Sequence, residues 1–389
     1  MKLRMIDNLD VWGKYVLLRD DLNVQIVDDK ITDVFRIEQS MQTINKLRNA
    51  GARVVICSHL GQPKGAVVPE LSLKPIAEYM DVPFIDDCLN RDFMSGMKNG
   101  DVVLLENLRF YSGEENNDDE FATQLASGFD LFVNDAFAVS HRASASTVGV
   151  TKILPSYAGD LLKSEVENIS RVLENPNRPL LAMVGGSKVS TKIGVLKSLC
   201  KLADCVIVGG ALGTTFAYAT GHNVGDSLYE PEQKDVALEI MRYAQENNCE
   251  FLLPLDKGVA DRFEKTATRK NKSIDSILDT DVIIDDGVET TARNIDKINS
   301  VSTVIWNGTF GMAEWGDTWG YSTFNVAKAI AKQTKTGKLI SIVGGGDTVA
   351  ALDVVGVRDN MTYVSTGGGA FLEFVENGIL PAISVLIDG

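Results

Sequence analysis

Two glycine-rich strings in the second half of the sequence have the residue types of a phosphate-binding site. Residues 185–192 (GGSKVSTK) follow an apolar run and offer backbone N–H groups together with Lys188 and Lys192. Because the two lysines are four residues apart, we expect a helix to open within this string and to carry both ammonium groups on one face of its first turn. The string lacks the Walker A pattern, and no G-x-G-x-x-G motif is present.

The second string, residues 344–348 (GGGDT), repeats this arrangement after another apolar run. Asp347 at a helix start is suited to hold a Mg²⁺ ion that bridges phosphate groups. Either loop alone is also compatible with an ordinary strand-to-helix turn that needs a positive φ angle. Two such loops, one with paired lysines and one with an acid, favour a site for nucleotide phosphates.

The first half of the sequence places cationic side chains where strands are expected to end. These residues are Arg19, Arg36, His59, Arg109, His141 and Arg142. Any one of them is compatible with a solvated surface position. Their convergence at one sheet edge predicts a cationic cleft for a small anionic substrate.

The composition excludes several classes of partner. Lys and Arg number 38 against 53 Asp and Glu, so the formal charge of −15 disfavours nucleic acid and anionic membranes as main partners. Five scattered cysteines without a C-x-x-C pair indicate reduced thiols, and three histidines supply no histidine-based metal site. The start of the sequence has no signal-peptide pattern, so we expect a cytoplasmic protein.

Apolar runs alternate with amphipathic helical patterns over the 389 residues. This alternation predicts an α/β fold with two doubly wound parallel-sheet (Rossmann-like) domains, joined by a helix and separated by a cleft. A helical stripe at residues 161–173 before Pro176 and Pro179 marks the connector. The predicted strands are Val16–Leu18, Val54–Cys57, Val102–Leu105, Leu131–Val133, Leu180–Val184, Cys205–Val208, Phe251–Leu253, Thr303–Trp306, Leu339–Val343 and Tyr363–Ser365, with helices at Ile37–Asn49 and Pro231–Gln245.

We therefore expect residues 1–158 to bind an anionic substrate, residues 159–175 to form the interdomain helix, and residues 176–375 to bind a Mg-nucleotide. Two substrates on two domains suggest phosphoryl transfer across a cleft that closes to exclude water. A nucleotide-dependent dehydrogenase is the alternative from a different enzyme class. That alternative needs G-x-G-x-x-G after the first strand, where Arg19 to Asn23 stand instead.

Over its whole length the sequence resembles the phosphoglycerate kinase family. The matching strings are VLLRDDLNV, SHLGQPKG, LLENLRFYSGEE, NDAFAVSHRASAS, GGSKVSTKI, WNGTFGMAE, GGGDTVAA and VSTGGGAFLE, in the family's order and spacing. The resemblance implies reversible phosphoryl transfer between 1,3-bisphosphoglycerate and Mg-ADP, giving 3-phosphoglycerate and ATP, in a hinge-bending monomer of glycolysis. It also implies that the tail at 376–389 packs back on the N-terminal domain.

The family's functional residues carry over position by position. The resemblance implies catalytic roles for Arg36, Lys188 and Lys192, and a metal-binding role for Asp347. It implies phosphoglycerate contacts for Asp21, Asn23, Arg36, His59, Gln62, Arg109 and Arg142. It implies nucleotide contacts for Gly186, Lys188, Lys192, Gly210, Ala211, Gly287, Asn307, Glu314, Gly345, Gly346, Asp347 and Thr348.

Five positions depart from the family's usual pattern. Gln62 replaces an arginine, Ser144 a histidine, Ala211 a glycine, and Thr309 and Val288 replace prolines. These departures raise the alternative of a catalytically silent homologue that acts as a binding protein. A coupled assay for ATP formation from 1,3-bisphosphoglycerate separates that alternative and the dehydrogenase from the kinase.

Gln62 generates a prediction that can be tested on the anionic substrate. A glutamine donates a neutral hydrogen bond worth about 1 kcal/mol, whereas a charged one is worth roughly 1.5–3 kcal/mol. We expect Gln62→Arg to tighten 3-phosphoglycerate binding, less so at high salt, and to leave Mg-nucleotide affinity unchanged. Calorimetric titration with each ligand measures both effects. An equal shift in nucleotide affinity would place Gln62 at the other site.

Overall fold

The computed structural model describes residues 1–7, 9–27 and 30–388 of the chain. By internal contacts the chain divides into two compact units. Unit 1 comprises Met1–Glu167 and Ile379–Gly389, and unit 2 comprises Asn168–Gly378. Gly389, the last residue of the predicted tail, lies outside the described residues.

Unit 1 is built on a parallel sheet whose strands are connected through helices and loops. Its strands are β1 (Tyr15–Arg19), β2 (Ile26–Val27), β3 (Lys30–Ile31), β4 (Arg53–Cys57), β5 (Phe84–Ile85), β6 (Val102–Leu105), β7 (Leu131–Asn134) and β8 (Ser156–Ala158). In the described residues, the main sheet has the order β5-β6-β4-β1-β7-β8 with every neighbouring pair parallel. All of these strands therefore end at one edge, while β2 and β3 form a separate antiparallel pair.

Both faces of the unit 1 sheet are covered by apolar side chains. Along β1, Val16 and Leu18 pack into one core cluster, and Leu17 between them packs into a second cluster on the opposite face. This alternation explains why the strand sequences carry no polar face. The helices are α1 (Phe35–Asn49), α2 (Lys74–Met80), α3 (Ser112–Glu115) and α4 (Asp119–Ala126).

The helix α5 (Asp160–Glu174) carries the chain from unit 1 into unit 2. It coincides with the helical stripe found in the sequence, and the unit boundary falls inside it, between Glu167 and Asn168. At its first turn the Leu162 N–H donates to Asp135 Oδ1 at 2.9 Å, and the Asp160 N–H donates to Thr43 Oγ1 at 2.9 Å. Side-chain acceptors from the unit 1 sheet edge and from α1 thus fix the start of this helix.

Unit 2 holds a second parallel sheet and a small antiparallel one. Its strands are β9 (Leu180–Val184), β10 (Cys205–Val208), β11 (Glu250–Leu252), β12 (Asp256–Ala260), β13 (Lys270–Ser273), β14 (Val282–Asp286), β15 (Thr303–Asn307), β16 (Ile340–Gly344) and β17 (Tyr363–Val364). The parallel sheet has the order β11-β10-β9-β15-β16-β17 over the residues described. The antiparallel sheet has the order β13-β12-β14.

Helices flank the unit 2 sheet as the alternation predicts. They are α6 (Ile193–Leu202), α7 (Gly210–Ala219), α8 (Lys234–Glu246), α9 (Val288–Ser300), α10 (Tyr321–Lys335), α11 (Gly346–Val354) and α12 (Gly369–Asn377). The α/β fold with two parallel sheets flanked by helices is therefore confirmed. No helix in the described part of the chain is long and apolar enough to cross a membrane.

One local prediction in unit 2 is wrong. The sequence suggested a helix opening within residues 185–192, but α6 starts only at Ile193 and the preceding residues form turns. Gly186 has φ +120°, and the Lys192 N–H closes a turn onto the Val189 carbonyl oxygen at 2.8 Å. Lys188 and Lys192 therefore do not share the first turn of a helix.

The tail after unit 2 returns to unit 1 and forms the short helix α13 (Pro381–Ser384). The Ala382 N–H donates to the Ser140 carbonyl oxygen at 3.1 Å, and the Arg4 N–H donates to the Leu386 carbonyl oxygen at 2.8 Å. Main-chain hydrogen bonds to the N-terminal segment and to the loop after β7 thus hold the tail.

The central position of β1 generates a stability prediction. Leu18 is fully buried between two neighbouring strands, so Leu18→Ala leaves a cavity and we expect a loss of about 2–5 kcal/mol in the unfolding free energy of unit 1. Val67 is 75% exposed, and Val67→Ala is the matched control, with an expected change within about 0.5 kcal/mol. Urea unfolding followed by circular dichroism measures both. Equal midpoints for the two variants would contradict this packing.

Candidate active site

The first set of predicted site residues lies at the carboxyl edge of the unit 1 sheet. Asp21 follows β1, and its carboxylate pairs with the Arg36 guanidinium at 3.0 Å. The same guanidinium donates to the Asn23 carbonyl oxygen at 2.8 Å, and the Asn23 side chain accepts from the Gly61 N–H at 2.9 Å. These contacts connect the loop after β1, the start of α1 and the loop after β4.

Arg109 extends this network to the loop after β6. Its Nη1 donates to the Gly61 carbonyl oxygen at 2.8 Å, and its Nε lies 3.4 Å from Glu115 Oε1. The same Glu115 oxygen lies 3.8 Å from Arg142 Nη1, so one carboxylate bridges two arginines. Gln62, next to Gly61, is exposed. Hydrogen bonds and ion pairs therefore connect five of the residues assigned to the anionic substrate, Asp21, Asn23, Arg36, Arg109 and Arg142, and Gln62 is placed here only as the neighbour of Gly61.

His59 contributes a neutral ring to this edge. It is 2% exposed, and its Nδ1 lies 3.3 Å from Arg19 Nη2 and 3.9 Å from Asp21 Oδ1. Burial, together with the nearby Arg19, Arg109 and Arg36 guanidinium groups, lowers the pKa of His59 well below its usual value. The ring is therefore uncharged near neutral pH.

The cationic cluster predicted from the sequence is smaller than expected. Arg19 is buried, and its guanidinium donates to Ser146 Oγ at 2.8 Å and to the Asp20 carbonyl oxygen. These hydrogen bonds hold the loops of the edge together. Burial and the neighbouring Arg142 also lower the pKa of His141. Arg36, Arg109 and Arg142 are therefore the guanidinium groups of the cluster that keep some contact with solvent.

A buried carboxyl group supports the same loops. Asp20 directly follows β1, and its carboxyl group accepts a hydrogen bond from Ser40 Oγ at 2.5 Å. Burial raises the pKa of Asp20 to about 6, although the Ser40 hydrogen bond opposes this shift. Ser58 Oγ donates to the Asp20 carbonyl oxygen at 2.7 Å and accepts from the Leu22 N–H at 2.9 Å. The edge is therefore held by buried polar contacts rather than by its surface cations.

The second set of predicted site residues lines a pocket of about 390 Å³ in unit 2. The pocket is formed by the loops that follow β9, β10, β15 and β16, which end at the same edge of the sheet. The predicted residues in its lining are Gly186, Lys188, Lys192, Gly210, Ala211, Asn307, Glu314, Gly345, Gly346, Asp347 and Thr348. This position is where open parallel sheets bind their ligands.

The glycines of this pocket permit a close approach of two main chains. A Cβ atom on Gly185 would lie 2.2 Å from the Thr309 carbonyl oxygen, and one on Gly308 would lie 2.4 Å from the Gly185 carbonyl oxygen. The Gly186 N–H donates to the Thr309 carbonyl oxygen at 3.2 Å. Gly345 has φ +102° and caps α11, so the first turn of that helix opens into the pocket.

Polar side chains fix the floor of the pocket. Asn307 Nδ2 donates to the Gly344 carbonyl oxygen at 2.9 Å, and Thr348 Oγ1 accepts from the Gly308 N–H at 2.8 Å. Both side chains therefore join the loop after β15 to the loop after β16. The hydrogen bonds place these two residues as supports of the glycine loops.

Lys192 is the half-buried cation of this pocket. Its Nζ donates to the Gly185 carbonyl oxygen at 2.6 Å. Burial lowers the pKa of Lys192 to about 8, with an opposing attraction from Asp347. Lys188 lines the pocket and is exposed, so the two lysines differ in environment.

Asp347 and Glu314 supply exposed carboxylates to the same pocket. In the described residues, no three or more His, Cys, Asp or Glu side chains converge into a protein cage for a metal ion. A single carboxylate in the first turn of α11 nevertheless fits Mg²⁺, which keeps several waters and is completed by ligand phosphates. Asp347 is thus able to hold a phosphate-bound magnesium ion.

The structure places one predicted residue elsewhere and adds others. Gly287 does not line the pocket; it lies at the N-terminus of α9, where a Cβ atom would lie 2.2 Å from the Asp256 carboxyl group. An apolar wall that the sequence analysis missed consists of Leu228, Phe263, Ile283, Ile284 and Met312. No motif marks Leu228 or Phe263, because each stands in a loop far from the glycine strings.

Comparisons with known proteins agree on one family. The family described as phosphoglycerate kinase matches residues 6–378. The phosphoglycerate kinase of Granulibacter bethesdensis is 44% identical over 99% of this chain and 100% of its own length, and that of Brucella abortus is 43% identical over 99% and 100%. The solved Coxiella burnetii phosphoglycerate kinase is 43% identical with a TM-score of 0.85, covering 99% of this chain and 98% of its own. The Pyrococcus horikoshii structure is 28% identical with a TM-score of 0.84 and the same coverage.

The environment of His59 generates a spectroscopic prediction. At about pH 6 an ordinary histidine is mostly protonated, whereas the buried His59 ring, whose pKa is lowered, should remain neutral. Nitrogen chemical shifts of ¹⁵N-labelled histidine report the charge of each ring, and His59→Gln assigns the signal. A protonated His59 at that pH would show that the neighbouring arginines do not control the ring.

Proposed function

The chain belongs to the phosphoglycerate kinase family, and we propose that its two units divide the substrates of that kinase between them. The protein is a glycolytic phosphotransferase that moves a phosphoryl group reversibly between 1,3-bisphosphoglycerate and ADP. We propose that the unit 1 edge binds the phosphoglycerate and that the unit 2 pocket binds the Mg-nucleotide. The dehydrogenase interpretation is set aside.

The unit 2 pocket carries this assignment. It combines an apolar wall suited to a purine base, two glycine loops whose main chains approach closely, and a half-buried ammonium group on Lys192. A helix N-terminus with Gly346 and Asp347 opens into it, which favours anionic phosphate oxygens. In this arrangement the base would contact the apolar wall and the phosphates would contact the glycine loops.

Lys192 is suited to respond to a bound phosphate. Burial lowers its pKa to about 8, so the side chain is mostly an ammonium group near pH 7, and an approaching phosphate group favours that form further. The ammonium then exchanges its hydrogen bond to the Gly185 carbonyl oxygen for phosphate oxygens. Asp347 would hold a Mg²⁺ ion on this side of the pocket, and the ion would neutralise part of the phosphate charge.

The unit 1 edge is suited to a small molecule with a carboxylate and a phosphate. Arg36, Arg109 and Arg142 provide the positive charge, and the neutral His59 ring provides a hydrogen-bonding partner without added repulsion. Glu115 compensates Arg109 and Arg142 and would be displaced when an anion binds. Arg109 and Arg142 would therefore exchange the Glu115 carboxylate for the substrate anion as their partner.

The chemistry needs positioned charge and no covalent nucleophile. A transferring phosphoryl group spreads its charge over three equatorial oxygens, and cations with N–H donors stabilise it. We propose that Arg36, Lys188 and Lys192 serve in this way. Domain closure, a cytoplasmic location and a monomeric state remain proposals; the five unpaired cysteines support a reducing compartment.

The division of substrates generates the test of this function. We expect Lys192→Met to weaken Mg-ADP binding by about 10- to 100-fold, because a charged hydrogen bond is lost, and to leave 3-phosphoglycerate affinity unchanged. Arg109→Gln should weaken 3-phosphoglycerate binding and leave Mg-ADP affinity unchanged. Calorimetry with each ligand, together with the coupled assay, measures these effects.

Matched controls are available in both units. Lys201→Met and Arg48→Gln remove exposed charges away from the two sites and should change neither affinity. A variant that lost both ligands equally would contradict the assignment of one substrate to each unit.

A further inference from the structure

Glu230 stands outside the predicted motifs, yet its carboxylate holds the loop that carries both lysines. Its Oε2 accepts the Ser190 N–H at 3.0 Å, and its Oε1 accepts the Ser190 hydroxyl at 2.5 Å. Both carboxylate oxygens are therefore committed to one residue of the loop. Although burial opposes ionisation, the hydrogen bonds from Ser190 lower the pKa of Glu230, so the carboxylate is charged at neutral pH.

The loop between β9 and α6 is fixed at its start, where the Gly186 N–H donates to the Thr309 carbonyl oxygen, but its outer part is exposed. Residues 185–192 form turns rather than helix, and Ser187, Lys188, Ser190 and Thr191 are exposed. Val189 is fully buried and anchors the middle of the loop. On the outer side of the loop, Thr191 Oγ1 donates to the Lys188 carbonyl oxygen at 3.3 Å, and the Ser190–Glu230 contact joins the loop to the segment before α8.

Glu230 is itself fixed by an element behind the pocket. Its N–H donates to Thr215 Oγ1 at 3.1 Å, and Thr215 is fully buried in α7. Two residues earlier, Leu228 lines the apolar wall of the same pocket. The segment 228–230 therefore lines the pocket with Leu228 and contacts the lysine loop through Glu230.

We propose that Glu230 is a positioning residue that holds the 185–192 loop in the form that binds nucleotide phosphates. The inference rests on the proposed nucleotide site. Two effects of opposite sign act on a bound polyphosphate: the charge of Glu230 repels it, and the ordered loop presents Lys188 and Lys192 to it. Because both carboxylate oxygens are occupied by Ser190, the ordering effect outweighs the repulsion.

The proposal gives the direction of change for a removed carboxylate. Glu230→Ala should weaken Mg-ADP binding by about 5- to 30-fold and raise the KM for Mg-ADP, since the loop must then be ordered by the ligand. The affinity for 3-phosphoglycerate should not change. Glu230→Gln keeps a carbonyl oxygen for the Ser190 N–H and should recover most of the lost affinity.

A double-mutant cycle on the full chain separates this contact from general destabilisation. Ser190→Ala should weaken Mg-ADP binding in the wild-type background and have no effect in the Glu230→Ala background, because its partner is already absent. Glu232→Ala removes an exposed acid two residues away and is the matched control, with unchanged affinity expected. Calorimetric titration with Mg-ADP and thermal unfolding of each variant provide the readouts.

The outcomes distinguish the inference from the function on which it rests. If wild-type protein fails to bind Mg-ADP, the nucleotide site itself is wrong. If wild type binds and Glu230→Ala binds equally or more tightly, charge repulsion dominates and the positioning role is overturned. Additive losses for Ser190→Ala and Glu230→Ala, or a lowered unfolding temperature with unchanged affinity, also overturn it.

Discussion

The main chains that follow β9 and β15 lie so close together that there is no room for a side chain at Gly185 or at Gly308. Gly185 and Gly308 contact each other through backbone atoms, and the Gly185 N–H donates to the Asn307 carbonyl oxygen at 2.9 Å. This approach fixes where the loop after β9 starts, and hence where Lys192 can reach the Gly185 carbonyl oxygen. The unit 2 pocket thus depends first on a steric constraint, and that constraint sets where its charged groups lie.

The cations of both sites are held by acceptors that a ligand can replace. Arg36 pairs with Asp21, Arg109 lies beside Glu115, and Lys192 donates to a main-chain carbonyl oxygen. Converging cations without such partners would repel one another and lose hydration. In a chain of net charge −15, these internal acceptors let basic groups converge before any anion arrives. Binding then exchanges one partner for another instead of burying a bare charge.

The sequence predicted the parts of the fold whose signals are local. Apolar runs located every strand of the unit 2 parallel sheet and the strands β1, β4, β6 and β7 of unit 1, whereas the short strands β5 and β8 of that sheet were missed. The glycine strings located loops of the pocket. The antiparallel sheet was missed because β12 and β13 are polar; it is held by a fully buried ion pair between Lys257 and Asp286 at 2.6 Å. Such a pair joins residues 29 positions apart and leaves no periodic pattern.

The same reason explains which site residues the sequence could not show. Glu230 acts on Ser190 across 40 positions, and the wall residues Leu228 and Phe263 stand in loops whose shape is set by distant contacts. The start of α6 was misplaced because i,i+4 spacing reports a helix only if the backbone is free to form one. Here Gly186 takes a positive φ and Ser190 gives its donors to Glu230. At residues 185–192 the helical spacing and the tertiary contacts favour different backbone conformations, and the tertiary contacts determine the one observed.

The departures from the family pattern differ in what they change. Thr309 replaces a usual proline, but its contact with the Gly186 N–H is made by the main-chain carbonyl oxygen, which both residue types possess. Ala211 adds a methyl group to the pocket lining, and the hydroxyl of Ser144 is used locally, within 2.9 Å of Thr147 Oγ1. Gln62 is different, because it is exposed and its side chain is open to solvent and to a ligand. Substitutions at backbone-mediated contacts preserve the site, whereas the loss of the arginine charge at Gln62 changes what the edge offers to an anion.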